Sequence, residues 1–239
     1  MTALTVHLEA VAALRQTVQA TTADPIAAAL RAESAGADGI GVYLREDRRY
    51  LQEKDVHLLR QTIHSRLILF MAATSEMVGF ALDVKPERVV LMPALHDDGT
   101  TDAGLDLIVD SRHLFETVDT LQSNNISVGV CIAPEPDQVK LAHQARANWI
   151  HIHSGRLKSA TSAAMQSQEL NRIIDALKMA HRLRLHIAIG HDLDERLLKL
   201  FSGIEEVDEF NLGRNLMAKA LMVGIETAVR DAVATIRTL

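Results

Sequence analysis

Short, continuously apolar runs recur along the chain, each closed by a polar or glycine-bearing segment and followed by a stretch with helical spacing. They predict strands near residues 4–8, 39–43, 67–71, 88–92, 126–132, 148–153, 184–189 and 206–211. Continuous rather than alternating hydrophobicity is the pattern of parallel strands covered on both faces. Between the runs, Leu170, Ile173, Ile174 and Leu177 recur with the period of a helix face. Asp24 before Pro25 reads as an N-cap with proline at the first helical position, and Ser75-Glu76 opens another helix. Eight strands alternating with about eight helices, with no linker between them, predict one α/β domain over residues 1–239, a closed (β/α)₈ TIM barrel with extra helices. An open doubly wound sheet is the competing architecture. It fits less well because Val6-His7-Leu8-Glu9-Ala10 stands where a glycine-rich dinucleotide fingerprint would follow the first strand.

Composition is consistent with this picture and removes several classes of function. A chain of 239 residues that is 48% hydrophobic can fill one large core. Its net charge of -6 argues against a nucleic-acid partner, which requires a broad basic surface. Anion binding therefore has to be local. Cys131 lies in the apolar run 126–132 and reads as a core residue; a lone cysteine makes no internal disulfide and suits a reducing compartment. No run reaches the length of a membrane span, and the N-terminus lacks a signal pattern, so a cytoplasmic protein without a membrane partner is expected.

In a barrel, ligand chemistry belongs at the carboxyl ends of the strands. The strand within Ala37–Tyr50 runs into Arg45-Glu46-Asp47-Arg48-Arg49, and guanidinium forks match phosphate or carboxylate oxygens. Since only alternate residues face the mouth, Arg45 is the expected anion contact, with Arg48 and Arg49 in structural or intersubunit ion pairs. A solvated, ion-paired loop is the alternative. His7 with Glu9, and His151 with His153, share strand faces, and His191 follows the seventh strand in Ile189-Gly190-His191-Asp192. Imidazoles and a carboxylate from three strands make His7, Glu9, His151, His153 and His191 candidate ligands of a divalent metal. The same residues serve equally as contacts to an organic ligand.

Ala35-Gly36-Ala37-Asp38-Gly39-Ile40, Leu44-Arg45-Glu46-Asp47-Arg48-Arg49, Thr100-Thr101 before Gly104-Leu105-Asp106, Gly190-His191 and Asn211-Leu212-Gly213 resemble, in order and spacing, the pyridoxine 5'-phosphate synthase family. The resemblance implies a barrel with extra helices, assembly into a homo-octamer, and no metal or organic cofactor. It also implies condensation of 1-deoxyxylulose 5-phosphate with 3-amino-2-oxopropyl phosphate, releasing phosphate and water.

At the chemical positions the chain departs from that pattern. His7-Leu8-Glu9-Ala10 replaces the family's Asn-Ile-Asp-His, and Tyr43 and Tyr50 stand where the family has histidines. Phe70 takes the place of a catalytic glutamate, His151 that of another glutamate, and Arg214 that of a histidine. Of the family's three acid/base residues, His191 remains. The expectation is a divergent member that binds a small phosphorylated or carboxylated metabolite and acts on it with remodelled acid/base groups: His191, His151, Glu9 and Tyr43. His7, Arg45, Thr101, Gly190, Asp192, Gly213 and Arg214 would hold the substrate, with phosphate at the loops after strands seven and eight. Two other readings stay open: the unaltered family condensation, and a barrel that binds its ligand without turnover.

Overall fold

The computed structural model describes residues 2–93, 104–109 and 111–239; Thr101 lies outside them. Eight parallel strands close into a barrel in sequence order: β1 (Ala3–His7), β2 (Gly39–Tyr43), β3 (Arg66–Met71), β4 (Arg88–Leu91), β5 (Ser127–Ile132), β6 (Trp149–His153), β7 (His186–Gly190) and β8 (Glu209–Leu212). The helices are α1 (Glu9–Val18), α2 (Pro25–Ser34), α3 (Glu53–Thr62), α4 (Ser75–Val84), α5 (Ser111–Ser123), α6 (Pro136–Gln144), α7 (Gly155–Ser159), α8 (Ala163–Arg182), α9 (Glu195–Leu198), α10 (Arg214–Val223) and α11 (Ile225–Ile236). The extra helices expected from the sequence sit after β1, β6 and β8, where two helices replace one.

Local signals act as the residues demand. Asp24 caps α2 by accepting the Ile26 N–H at 3.0 Å. Thr74, one residue before the expected start, caps α4 through the Met77 N–H. The last two strands begin later than the hydrophobic runs suggest. Arg184 takes a left-handed conformation (φ 58°) that ends the α8 connection, and a turn over Glu205 and Glu206 delays β8.

Strand periodicity sorts the core into two layers. Leu69, Met71, Val89, Leu91, Val130 and Ile132 point outward and pack beneath the helices. The alternate residues Tyr43, Ile68, Phe70, Val90, Met92 and Cys131 form a separate inner cluster. Below that cluster the bore is charged. Arg88 on β4 reaches Glu209 on β8, the strand diametrically opposite, with Nη2 at 2.6 Å from both carboxylate oxygens. Arg66 on β3 adds a contact at 3.5 Å, and the Arg88 guanidinium lies 3.9 Å above the Trp149 ring. Arg88 and Glu209 are both buried. Glu209→Ala leaves the Arg88 charge buried and uncompensated, and is expected to destabilise the fold by about 3–5 kcal/mol. Urea denaturation of the variant against wild type measures it.

Candidate active site at the barrel mouth

The cavity at the carboxyl ends of the strands is lined by His7 and Glu9, by Tyr43, Phe70 and Met92, by His151, His153, His191 and Asp192, and by Asn211, Gly213 and Arg214. Most of the residues expected at the mouth therefore do meet in one volume. They fall into three groups with different chemistry.

The first group centres on His7. Its Nε2 lies 2.9 Å from Asn211 Oδ1 and its Nδ1 3.4 Å from Glu9 Oε1. Asn211 donates its amide NH₂ to Glu209 Oε1 at 2.9 Å, which turns its oxygen toward His7. Both imidazole nitrogens thus face acceptors, and only the doubly protonated ring donates to both. Burial works against that charge. The charge and hydrogen bond of Glu9, the Asn211 hydrogen bond and the Glu209 charge outweigh it and raise the His7 pKa. Glu9, the first residue of α1 rather than a strand residue as expected, in turn accepts the Tyr43 backbone N–H at 2.5 Å and ties α1 to the end of β2. A side chain at Gly41, the register partner of His7, would put its Cβ 2.7 Å from His7 Nε2, so glycine is required there.

The second group holds the remaining histidines. His151 on β6 is buried, with neither ring nitrogen hydrogen-bonded among the described residues. His191 occupies a left-handed turn (φ 75°, followed by Asp192 at 56°). Ser154 fixes that turn by donating its hydroxyl to the carbonyls of Gly190 at 2.5 Å and His191 at 2.8 Å. The His191 ring stacks on His153 at 4.0 Å between centroids and meets His151 edge-on at 5.2 Å. His153 Nδ1 accepts the Gly155 N–H. Burial first, and then the neighbouring positive groups, depress the pKa values of His151 and His191 well below the ordinary imidazole range. Both are neutral bases at physiological pH.

Phe70 separates the two groups, its ring in edge contact with His7 at 4.6 Å and with His151 at 5.3 Å. Among the described residues the five candidate metal ligands do not close around one point: Phe70 stands between His7 and His151, and His153, whose Nδ1 accepts the Gly155 N–H, is outside the compact donor set. Among the described residues the compact donor set is instead His151, His191 and Cys131, all within 4.8 Å of one another. The sequence reading placed Cys131 in the core, where it is. It gave no sign that the thiol, register partner of His151, shares the imidazole pocket. Asn211 and Ser154 are further residues the sequence reading left unassigned; their position at strand ends beside histidine-bearing loops is the signal that marks them.

The third group faces anions. Gly213 precedes α10, whose N-terminus has no side-chain cap, leaving first-turn N–H groups open toward the mouth. Arg214, the first residue of α10, lies 3.6 Å from Asp192, and Asn215 ties the helix to the Asp192 carbonyl at 2.8 Å. Gly190 lies under His151, where an added Cβ would sit 2.7 Å from Nε2. Two further residues expected at the mouth have defined partners among the described residues. Arg45 lies outside the cavity wall formed by the described residues and is clamped to Asp47, at 2.8 Å through Nε and 2.7 Å through Nη2. That hydrogen-bonded pair holds the Asp47 carboxyl far below its usual range. Tyr43 is the other: burial raises its phenol pKa, and the nearby Arg45 charge pulls downward without overcoming it. Its hydroxyl, 3.3 Å from the Pro93 carbonyl, is a hydrogen-bond donor and not a base. Arg48 pairs with Glu53 and Glu76 on its own chain.

The family model described as "Pyridoxal phosphate biosynthesis protein PdxJ" matches residues 4–238. The chain belongs to this family. It is 44% identical over 239 residues, the whole of both chains, to the pyridoxine 5'-phosphate synthase of Desulforapulum autotrophicum. It is also 44% identical over 231 residues, 97% of each chain, to that of Geobacter sp. strain M21. Among solved structures, a crystal structure of KGPDC from Streptococcus mutans superposes with a TM-score of 0.69 at 15% identity, covering 99% of this chain and 97% of that one. At such identity the likeness extends to the barrel fold alone.

Glu9 supplies the charge that keeps His7 protonated, so Glu9→Gln is expected to lower the His7 pKa, as followed by its ring resonances in a pH titration. A raised pKa in the folded state stabilises fully below the unfolded value of about 6.5 and fades as pH rises through the folded value. The destabilisation caused by Glu9→Gln should therefore be largest at mildly acid pH and shrink as pH rises.

Proposed function

We propose that this protein is an enzyme acting on small phosphorylated substrates at the barrel mouth, and that its reaction is the family's condensation of 1-deoxyxylulose 5-phosphate with 3-amino-2-oxopropyl phosphate. Full-length identity of 44% to pyridoxine 5'-phosphate synthases carries this reading. The mouth supplies matching chemistry. The open N-terminus of α10 and Arg214 suit a phosphate; the charged His7–Glu9 pair suits proton donation; the neutral rings of His151 and His191 suit proton acceptance. The comparisons thus favour the family reaction over the altered one expected from sequence.

A second reading, a different reaction on a related phosphorylated substrate, is favoured by one observation. Phe70 and the protonated Tyr43 stand where the resemblance places proton acceptors. The two readings part in an assay with both family substrates, backed by complementation of a strain that lacks its own synthase. Pyridoxine 5'-phosphate should form, and His191→Asn, which removes the family acid/base residue that this chain keeps, should slow its formation by roughly 10²–10⁴-fold, the scale of one positioned acid/base. Substrate binding without product transfers the site to the second reading, and neither binding nor product defeats both. Arg214→Ala should weaken binding of the phosphorylated substrate by roughly 1.5–3 kcal/mol in a titration, the scale of a hydrogen bond to a charged group.

The reading carries a cytoplasmic location and a homo-oligomer. No helix among the described residues is long and apolar enough to cross a membrane. Leu14 and Leu221 line one groove between α1, α2 and α10, and Val18, Met222 and Val223 are exposed on the same two helices. Apolar surface of this kind suits burial against further copies of the chain. Light scattering should report an octamer, and Leu221→Asp with Met222→Asp should dissociate it into smaller species that keep their circular dichroism.

A further inference from the structure

We propose that Asn215 is a positioning residue that holds His191 in place while a substrate phosphate occupies the N-terminus of α10, a role that rests on the substrate reading above. The turn after β7 carries four consecutive carbonyls, those of Gly190, His191, Asp192 and Leu193, and two side chains take all four. Ser154, directly after β6, shares its hydroxyl proton between the first two, at 2.5 and 2.8 Å. Asn215, the second residue of α10, has two amide hydrogens and donates to the other two carbonyls at 2.8 and 3.2 Å. β6 and β8 flank β7 in the barrel, so the turn is gripped from both sides with His191 at its middle.

The backbone requires such a grip. His191 and Asp192 are consecutive non-glycine residues in the left-handed region, at φ 75° and 56°, which costs free energy that the surroundings have to offset. Leu193 is buried in the core and anchors the far end, whereas His191 is half-buried and Asp192 exposed. The place of Asn215 links this turn to the substrate. Gly213, Arg214 and Asn215 are the N-cap and first two residues of the helix that faces the phosphate. Arg214 lies 3.6 Å from the Asp192 carboxylate in an exposed contact, the kind that contributes little. A phosphate offers that guanidinium more charge and a bidentate partner, and so draws it away from Asp192. The Asn215 amide binds carbonyls, not anions, and its hold on the turn survives that exchange. Two adjacent residues of one helical turn thereby separate affinity from rate: Arg214 holds the phosphate, and Asn215 holds the acid/base residue.

Kinetics and hydrogen exchange test this separately. In Asn215→Ala, kcat for pyridoxine 5'-phosphate should fall by roughly 10–100-fold, the scale of a displaced catalytic group, while affinity for inorganic phosphate stays within about twofold of wild type. Exchange of the amides of residues 190–194, followed by mass spectrometry, should be accelerated by inorganic phosphate in Asn215→Ala and not in the wild-type protein. Ser154→Ala should open the turn with or without phosphate, and Ser154→Thr, which keeps the hydroxyl, should leave it closed. Asn215→Asp keeps the shape but turns a carboxylate toward the carbonyls, and should behave as Asn215→Ala does; it decides the matter if the alanine variant fails to fold. Unchanged kcat in Asn215→Ala, or exchange in that variant that phosphate does not accelerate, overturns the proposal. Exchange needs no turnover. A wild-type protein that forms no product therefore defeats the substrate reading, while the exchange result alone judges the role of Asn215.

Discussion

The ion pair of Arg88 and Glu209 across the base of the barrel is the constraint from which the active cavity takes its form. A barrel bore has to be filled, and here part of the filling is charged rather than aliphatic. Desolvation makes such a pair expensive, and burial lowers the pKa of Arg88 despite the carboxylate beside it. What the pair provides is direction. With Glu209 held by Arg88 and touched by Arg66, one of its oxygens accepts the amide of Asn211. That single hydrogen bond determines which face of the amide His7 meets. A charge placed at the bottom of the bore thereby orients the hydrogen-bond partner of an imidazole at the top and adds, after Glu9, to the groups that favour its charged form.

Above this level the cavity is divided by an aromatic ring. Phe70 offers no proton chemistry, but its edge contacts hold two sets of histidines apart, and the sets behave oppositely. His7 lies between two acceptors, which favour its charged form. His151 and His191, packed against apolar groups and other rings, are neutral. A glutamate at position 70 would join the two sets electrostatically; phenylalanine insulates them. The same substitution that weakens a direct transfer of the family mechanism thus creates a site with one cationic and one neutral imidazole face.

Close packing underlies this arrangement. The rings of His7 and His151 project over Gly41 and Gly190 on neighbouring strands, where a single added carbon would collide with an imidazole. The glycine positions are therefore part of the chemistry, although neither glycine touches a proton. Ser154 plays a similar part through the backbone, since its hydroxyl pins the turn that presents His191. The phosphate-facing end is built differently, from helix geometry and exposed charge, and so depends less on the packed interior.

How much of this was legible beforehand follows from the range of the interactions involved. Continuous apolar runs, helical spacing and the Asp24-Pro25 cap are local properties, and they determined the barrel, its strand order and the mouth as the place of chemistry. Strand alternation likewise placed His151 with His153 on β6, and the motif spacing identified the family; His7 and Glu9, expected on one strand face, meet instead where β1 ends and α1 begins. Contacts between strands distant in the chain were decided only by the tertiary structure. Spacing did not reveal that Arg88 crosses the bore to Glu209, that Phe70 parts the histidines, or that Cys131 joins His151 and His191. Arg45 shows the same limit from the other side: the sequence put a guanidinium at the strand end, and only the folded chain shows it paired with Asp47 two residues on. The sequence by itself set which side chains reach the mouth, because period and element order are written locally. Which of them meet, and in what charge state, was left to burial and to partners that only folding brings together.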